Sequence, residues 1–223
     1  TPGISSAASD VYKRQFLKIG FPIKGVLKAT IYEQFCGGVS INECLEIIKK
    51  MKKKNVFSIL DYSVESLDSE LDFNNAFEKK LKIIKLSSDY GLPFSVFKPT
   101  SIGNYNLFKK KSANECLNDK ENLSWLKVED RFDKIFNYAK KQKVKILVDA
   151  EENEVQNAID DLVLKMMKKY NNGNKAIIFN TVQLYRWDRI EYLRKQIDMR
   201  KGYRLGFKPV SYTHLTLPTI FRV

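Results

Sequence analysis

Residues 145–152 read KILVDAEE, a short apolar run that ends in acidic side chains. Residues 155–170 then carry apolar side chains at helical spacing, and another apolar run follows at residues 176–179. A buried strand, an amphipathic helix and a second buried strand make up a β-α-β unit, whose two strands run parallel. The stretch therefore predicts an α/β protein built on a parallel sheet.

The same alternation continues on both sides of this unit. Further strand-like and helical stretches follow one another, with strands at residues 56–60, 94–97 and 203–207 and helices at residues 73–86, 125–139 and 189–197. No glycine-rich phosphate loop follows any of these strands, which counts against a nucleotide-binding open sheet. We therefore expect a partial (β/α)8 TIM barrel with about five of its eight strands, preceded by N-terminal helices.

Composition and periodicity divide the 223-residue chain into four segments: a tail at 1–15, a helical segment at 16–54, the barrel at 55–210 and a tail at 211–223. In the helical segment, Ser40 and Glu43 are spaced as a capping box at the start of a helix. The two tails resemble translated sequencing-adapter DNA, so we expect them to be foreign or disordered. On this interpretation the chain is a fragment of a longer protein.

Charge and composition exclude several classes of function. The net charge is +13, but arginine supplies only 8 of the 39 basic residues, and the lysines are interspersed with acidic residues. Such a pattern is typical of solvated helix faces, so we expect no nucleic-acid partner. The only histidine, His214, lies in the C-terminal tail, which argues against histidine-dependent nucleophiles and predicts no metal site.

The three cysteines form no CxxC pair, and their odd number argues against a disulfide scaffold or a zinc module. Reduced thiols are the simplest interpretation, and they fit a cytoplasmic protein. No apolar run approaches the roughly 18 to 20 residues that a membrane-spanning helix needs.

Polar side chains follow the predicted strands, where barrel enzymes build their sites. Lys98 follows one strand, and it is either a cation in the barrel mouth or a lysine that extends to solvent. Asp149 follows the next strand and is expected beside Lys98, as a proton-sharing pair or a buried ion pair. Gln183 can donate and accept at the polar edge of a flavin or a nucleobase, or simply brace a loop. Asp61 is interpreted as a structural residue.

Two further groups of side chains have structural interpretations. Glu151 and Glu152 are expected to begin the next helix, where negative charge is favourable. Five aromatic residues at helical spacing are expected in the core rather than in a stacking platform: Phe73, Phe77, Phe132, Phe136 and Tyr138.

Six motifs, in order and spacing, resemble those of the proline dehydrogenase family: FCGG at 35–38, SILDYSVE at 58–65, FKPT at 97–100, VDAEE at 148–152, AIDDL at 158–162 and NTVQLYR at 180–186. The resemblance runs from about residue 16 to residue 208. It implies a distorted (β/α)8 barrel that holds FAD noncovalently. Members of the family oxidise L-proline to Δ1-pyrroline-5-carboxylate by hydride transfer to the flavin.

The resemblance also implies roles for four residues. Lys98 and Asp149 correspond to catalytic residues, with Lys98 near the flavin and the proline carboxylate. Ala150 corresponds to a backbone contact with FAD, and Gln183 to the glutamine at the flavin ring. Implied partners are L-proline, a quinone or other electron acceptor, and pyrroline-5-carboxylate dehydrogenase as the downstream enzyme. A bacterial protein in the cytoplasm or at the surface of the inner membrane is expected.

The likeness stops after Lys208, where family members continue with a Val-Arg-Gly-Ala-Tyr-like segment and a later helix with paired arginines. We therefore expect this polypeptide to be inactive, to bind FAD weakly or not at all, and to aggregate through open strand edges. Two other functions remain open at this point. One is a Schiff-base barrel aldolase with Lys98 as nucleophile, and the other is a basic protein that binds RNA or an anionic surface.

Overall fold

The computed structural model describes residues 41–60 and 67–211. The predicted helices at residues 16–35, Ser40 of the capping box and Asp61 lie outside the described residues, as do both tails apart from Ser211. The chain divides into two compact units, Thr1–Phe57 and Ser58–Val223.

The first unit contains one described helix, α1, at Ile41–Lys52. Leu45 and Ile48 are buried on it, whereas Met51 is exposed. The helix ends where Asn55 adopts a positive φ of 58° and the Val56 amide donates to the carbonyl of Met51.

The second unit alternates helices and strands. Its elements in chain order are α2 Glu70–Asp89, β1 Phe94–Phe97, a 3₁₀ turn at Pro99–Ile102, α3 Tyr105–Ser112, α4 Asp119–Gln142, β2 Lys145–Val148, α5 Asn153–Tyr170, β3 Ile178–Gln183, α6 Arg189–Met199 and β4 Phe207–Val210. The strands form one parallel sheet in the order β1-β2-β3-β4. The predicted α/β class with a parallel sheet is confirmed.

Helix caps explain where the long helices begin. The Ser69 hydroxyl accepts from the Asp72 amide at the start of α2, and Asn118 with Glu121 forms a complete capping box at the start of α4. α3 was not predicted, although its first turn is capped by Asn104 and its last turn is lysine-rich.

Alternation along the strands separates two faces of the sheet. Phe97 points to the helices and contacts Phe132 and Phe136 of α4, with ring centroids 5.6 and 6.0 Å apart. Phe94 points to the opposite, inner face, where its ring lies 5.6 Å from that of Phe179. The predicted aromatic core is confirmed: Phe73, Phe132 and Phe136 are buried, and Phe77 and Tyr138 pack against the same cluster.

The predicted strand at residues 56–60 is wrong. Among the described residues of that stretch only Leu60 pairs with the sheet, through an isolated parallel bridge to Ser95. Val56 instead completes the turn that ends α1, and Phe57 is 59% exposed. The carbonyl of Val96 in β1 accepts from the buried ammonium of Lys80 on α2.

The last two strands lie later in the chain than the sequence predicts. β3 begins at Ile178 and extends to Gln183, and β4 begins at Phe207. The reason lies in Asn171 after α5, because its backbone carbonyl accepts from the Arg204 amide and its side chain donates to the Arg204 carbonyl. These bonds hold the predicted strand residues as a loop.

No helix in the described ranges is long and apolar enough to cross a membrane. Within the same ranges no cluster of His, Cys, Asp and Glu side chains could hold a metal ion.

Candidate active site

A cavity of about 620 Å³ lies at the carboxyl ends of β1, β2 and β3. Its lining includes Gln183 at the end of β3 and four residues from the segments that follow the three strands: Lys98, Ala150, Glu151 and Arg186. Three of the four residues assigned to the site from the sequence therefore line one cavity. This edge of a parallel sheet is where barrel enzymes place their catalytic groups.

Asp149 follows β2 on the inner face, next to this cavity. Its amide donates to the carbonyl of Phe97 at 3.1 Å, and Phe97 pairs with Val148, so Asp149 and Lys98 follow paired strand residues, as expected. The Asp149 carboxylate forms an ion pair with the ammonium of Lys208 on β4. The structure therefore gives Asp149 a cationic partner on β4, three strands away from β1, the strand that Lys98 follows.

Lys208 is a further residue of this edge, and it lies just beyond the strand predicted at residues 203–207. It pairs with Thr181 in the β3–β4 register, and Thr181 lies two residues before Gln183. Strand alternation therefore places Lys208 on the same inner face as Gln183. The signal was available in principle, but the predicted β4 ended at residue 207, one position too early.

Both polar atoms of the Gln183 side-chain amide are hydrogen-bonded. Its Nε2 donates to the backbone carbonyl of Glu151 at 2.9 Å, and its Oε1 accepts from Nη1 of Arg186 at 3.4 Å. Nε2 carries two hydrogens, so one N–H remains beyond the bond to Glu151. Gln183 can therefore offer a donor to a ligand in the cavity.

Glu151 does not begin the next helix, contrary to the expectation. α5 begins at Asn153, with Glu152 in the N-cap position. The Glu151 carboxylate instead crosses to Thr100 after β1, where it accepts from the backbone amide at 2.9 Å and from the hydroxyl. Burial raises the pKa of this carboxyl above its ordinary value, although the Thr100 bonds and the Lys98 charge oppose the rise.

Asp188 lies between two guanidinium groups at the cavity wall. Arg186 donates to it from Nε and Nη2 at 3.1 and 2.8 Å, and Arg189 donates from Nε at 3.0 Å. The bonds from Arg189 and then Arg186 lower the pKa of the Asp188 carboxyl to about 2, against the opposing effect of burial. The carboxylate is therefore ionised throughout the neutral range.

Asp160 and Arg189 form a buried ion pair behind this wall, with Arg189 Nη1 2.7 Å from Asp160 Oδ2. Asp160 belongs to the AIDDL motif, but no role was predicted for it. A signal was present, because Asp160 and Asp161 stand between the apolar residues Ile159 and Leu162 of α5, but it does not single out Asp160. Its partner lies 29 residues away, and no local pattern identifies it.

Two aromatic side chains stand at the rim of the cavity. Tyr185 and Trp187 both line it, and Trp187 is 95% exposed. On the inner face, the buried hydroxyl of Thr181 has no hydrogen-bond partner in the structure. A buried hydroxyl without a partner, a lysine ammonium and an amide N–H can all donate hydrogen bonds, so they suit a ligand rich in acceptor atoms.

Comparison with known proteins identifies a family. The family model described as proline dehydrogenase matches residues 44–210. The carbapenem antibiotics biosynthesis protein CarD of Pectobacterium carotovorum subsp. carotovorum is 32% identical over 195 residues, which cover 86% of this chain and 52% of that protein. Proline dehydrogenase 1, mitochondrial, of Dictyostelium discoideum is 26% identical over 241 residues, covering 90% of this chain and 42% of the relative. The chain thus spans about half the length of these curated relatives.

Solved structures show the same fold at low sequence identity. Proline utilization A (PutA) from Bdellovibrio bacteriovorus, inactivated by N-propargylglycine, matches with a TM-score of 0.72 at 17% identity, over 98% of this chain and 24% of that protein. PutA from Corynebacterium freiburgense matches with a TM-score of 0.62 at 14% identity, over 98% of this chain and 22% of that one. The likeness confirms the expected partial (β/α)8 barrel.

Proposed function

Because this chain belongs to the proline dehydrogenase family, we propose that residues 44–210 form the part of a flavin-dependent proline dehydrogenase that contacts FAD and L-proline. The observation that carries the proposal is the grouping of Lys98, Ala150 and Gln183 around one cavity, with Asp149 beside it. The same comparisons favour this function over a Schiff-base aldolase or a basic binding protein.

The residues of the cavity fit a flavin and an amino acid carboxylate. Gln183 offers an amide donor to the carbonyl-rich edge of an isoalloxazine ring, and the backbone at Ala150 lies beside it. Lys98 offers a cation to the proline carboxylate or to a flavin oxygen. When bound, FAD supplies the redox chemistry by accepting a hydride from proline.

The protein then has to orient the two molecules and balance charge. The Asp149–Lys208 pair adds no net charge at this edge of the sheet. The charge of Lys98 lowers the pKa of the Glu151 carboxyl, against the larger effect of burial, so the two side chains interact electrostatically at the cavity wall. None of these roles requires a histidine nucleophile or a metal ion.

Further parts of the proposal come from the family alone. We propose that electrons pass to a quinone or another acceptor, and that a pyrroline-5-carboxylate dehydrogenase consumes the product. A location in the bacterial cytoplasm or at the surface of the inner membrane belongs to the same proposal.

Trp187 provides a direct test of flavin binding. The chain has two tryptophans, of which Trp125 is buried against Phe108 and Trp187 stands exposed at the cavity rim. FAD bound in the cavity should quench Trp187 saturably, at concentrations higher than a full-length relative needs. Loss of the quenching in Trp187→Phe would locate the flavin at this rim.

A matched pair of variants tests the assigned contact. Gln183→Leu removes the amide donor and should weaken FAD binding about fivefold to tenfold, the effect of one hydrogen bond. Gln142→Leu, at the end of α4, should leave the affinity unchanged. Linear, non-saturating quenching in the unmodified chain would count against a flavin site here.

Turnover is tested in a chimera, in which residues 44–210 replace the matching segment of the Dictyostelium relative. Oxidation of L-proline by a folded chimera, lost on Lys98→Met, would support the substrate assignment. A folded chimera that binds FAD without oxidising proline would contradict it.

A further inference from the structure

A closed ring of polar contacts joins the candidate site to the buried side of the barrel wall. It passes from Gln183 to the Glu151 backbone, then through Gln156 and Asp160 on α5, and returns through three charged side chains: Arg189, Asp188 and Arg186. It therefore ties the segment after β2 to the segment after β3.

One half of the ring fixes the Glu151 backbone. Its amide donates to Gln156 Oε1 at 2.9 Å, and its carbonyl accepts from Gln183 Nε2 at 2.9 Å. Gln156 in turn donates from Nε2 to Asp160 Oδ1 at 2.8 Å. Gln156 is 1% exposed, so its side-chain amide cannot replace these hydrogen bonds with bonds to water.

The other half fixes the oxygen of the Gln183 amide. Arg189 joins Asp160 to Asp188, with Nη1 2.7 Å from Asp160 Oδ2 and Nε 3.0 Å from Asp188 Oδ2. Arg186 binds Asp188 through two nitrogens and directs its Nη1 to Gln183 Oε1. A guanidinium has donors only, so the oxygen of the amide, not its nitrogen, must face Arg186.

Asp160 is the point where the two halves meet. It is 5% exposed and accepts from three side chains: Gln156, Asn180 and Arg189. Asp160 does not line the cavity, so it can act on the site only through the residues that it contacts. Two carboxylates and two guanidinium groups alternate in it and cancel in charge, which suits a buried network.

We propose that Asp160 is a positioning residue, which through this ring holds Gln183 as a hydrogen-bond donor to the cavity and fixes the Glu151 backbone beside Ala150. The ligand role of Gln183 rests on the proposed function, whereas its fixed orientation rests on the contacts alone. A donor fixed in this way selects a ligand with an acceptor atom at that point, such as a flavin ring carbonyl, and disfavours one with a donor there.

The side-chain amide of Gln183 reports the orientation directly by NMR. In the unmodified chain its Nε2 hydrogens should exchange with water about tenfold more slowly than those of exposed Asn174, because one of them is bonded to Glu151. Asp160→Asn replaces one carboxylate oxygen with an NH2 group. That group either faces Arg189 as a second donor or takes the place of the oxygen that accepts from Gln156. We expect Gln183 side-chain exchange and Glu151 amide exchange to accelerate about tenfold.

Asp161→Asn is the matched control, since it changes the next residue of α5, which is exposed and outside the ring. It should leave both exchange rates unchanged. A carboxylate that merely stabilises the fold would lower the unfolding midpoint in Asp160→Asn without changing Gln183 exchange relative to a core amide such as Val163. That result would overturn the proposal.

Gln156→Met provides a second break in the ring that removes no charge. It should accelerate the same two sites, and unchanged rates in the folded variant would overturn the proposal. If the side-chain amide of Gln183 in the unmodified chain exchanges as fast as that of Asn174, the proposal is overturned, whether or not either variant folds.

FAD titration of the same samples separates this inference from the proposed function. Weaker Trp187 quenching in Asp160→Asn than in Asp161→Asn would support both. Equal FAD affinity in the two variants, with unchanged Gln183 exchange, would reject the positioning role and leave the flavin site standing. If no sample shows saturable quenching, while Gln183 exchanges slowly in the unmodified chain and faster in Asp160→Asn, the flavin site is rejected and the positioning role of Asp160 stands.

Discussion

Asp188 shows how single contacts set the chemistry of this site. The two guanidinium groups beside it keep its carboxylate ionised, and the same carboxylate directs Arg186 toward Gln183. Asp188 can therefore set the orientation of the Gln183 amide through Arg186. The lowered pKa of Asp188 also makes the free energy of unfolding depend on pH, which can be measured.

The folded-state pKa of Asp188, about 2, lies below its ordinary value of 3.8. A lowered carboxyl pKa contributes stability that is fully present above the ordinary value and is lost as pH falls through the folded value. We expect Asp188→Asn to reduce the free energy of unfolding by about 2 kcal/mol at neutral pH. The difference from the unmodified chain should shrink as pH falls from 3.8 toward 2.

Urea unfolding at several pH values measures this difference. Asp198→Asn, an exposed position on α6, controls for the loss of one negative charge. If the difference in unfolding free energy between the Asp188 variant and the unmodified chain stays constant down to pH 3, the pKa of Asp188 is not lowered, because a lowered pKa requires the difference to shrink.

At this scale, part of the site is readable from the sequence. Lys98, Asp149 and Gln183 were found because a polar residue after an apolar run marks a strand end, and strand ends share an edge in a parallel sheet. Arg189 was not found, since its partner Asp160 lies 29 residues away on another helix. Contacts across such distances in the chain depend on the packing of α5 against β3, which no local pattern encodes.

At the scale of elements, the join between β3 and β4 depends on one glycine. The carbonyl of Gly206 accepts from the Asn180 amide at 2.9 Å, so the two backbones are closely paired just before β4 begins. A Cβ at Gly206 would overlap the carbonyl oxygen of Ile178 and lie 2.9 Å from the Phe179 ring. Only glycine fits there without a shift of the strand.

Gly206→Ala should therefore separate β4 from β3 and lower the free energy of unfolding by about 1–3 kcal/mol, as overpacking does. Gly173→Ala is the control, because a Cβ there has nothing within 4 Å. It should change stability by no more than about 0.5 kcal/mol. Equal effects of the two substitutions on the denaturant midpoint would refute the close approach at Gly206.

Helices were easier to predict than strands for a physical reason. α2, α4 and α5 are long amphipathic segments, and two of them begin at recognisable caps. The strands are four to six residues long, so an apolar run elsewhere resembles them equally well. Residues 56–60 are such a run, of which only Leu60 pairs with the sheet.

At the scale of the whole molecule, one hydrophobic cluster dominates the described residues. Its buried members extend from Ala76 to Ile178 and come from helices α2 to α5 and strands β1 to β3, with the turns between them. All of them lie in the unit Ser58–Val223. A segment that contains its own continuous core is expected to fold cooperatively.

We expect the isolated segment 58–223 to unfold in one sigmoidal thermal transition, followed by circular dichroism. Phe136 lies at the centre of the cluster and is fully buried, whereas Leu123 on the same helix is 62% exposed. Phe136→Ala in this segment should therefore cost about 3–5 kcal/mol, and Leu123→Ala no more than about 0.5 kcal/mol. A broad, sloping transition, equally insensitive to both substitutions, would mean that the cluster is not a specific core. That result would also remove the rigid support on which a positioned Gln183 depends.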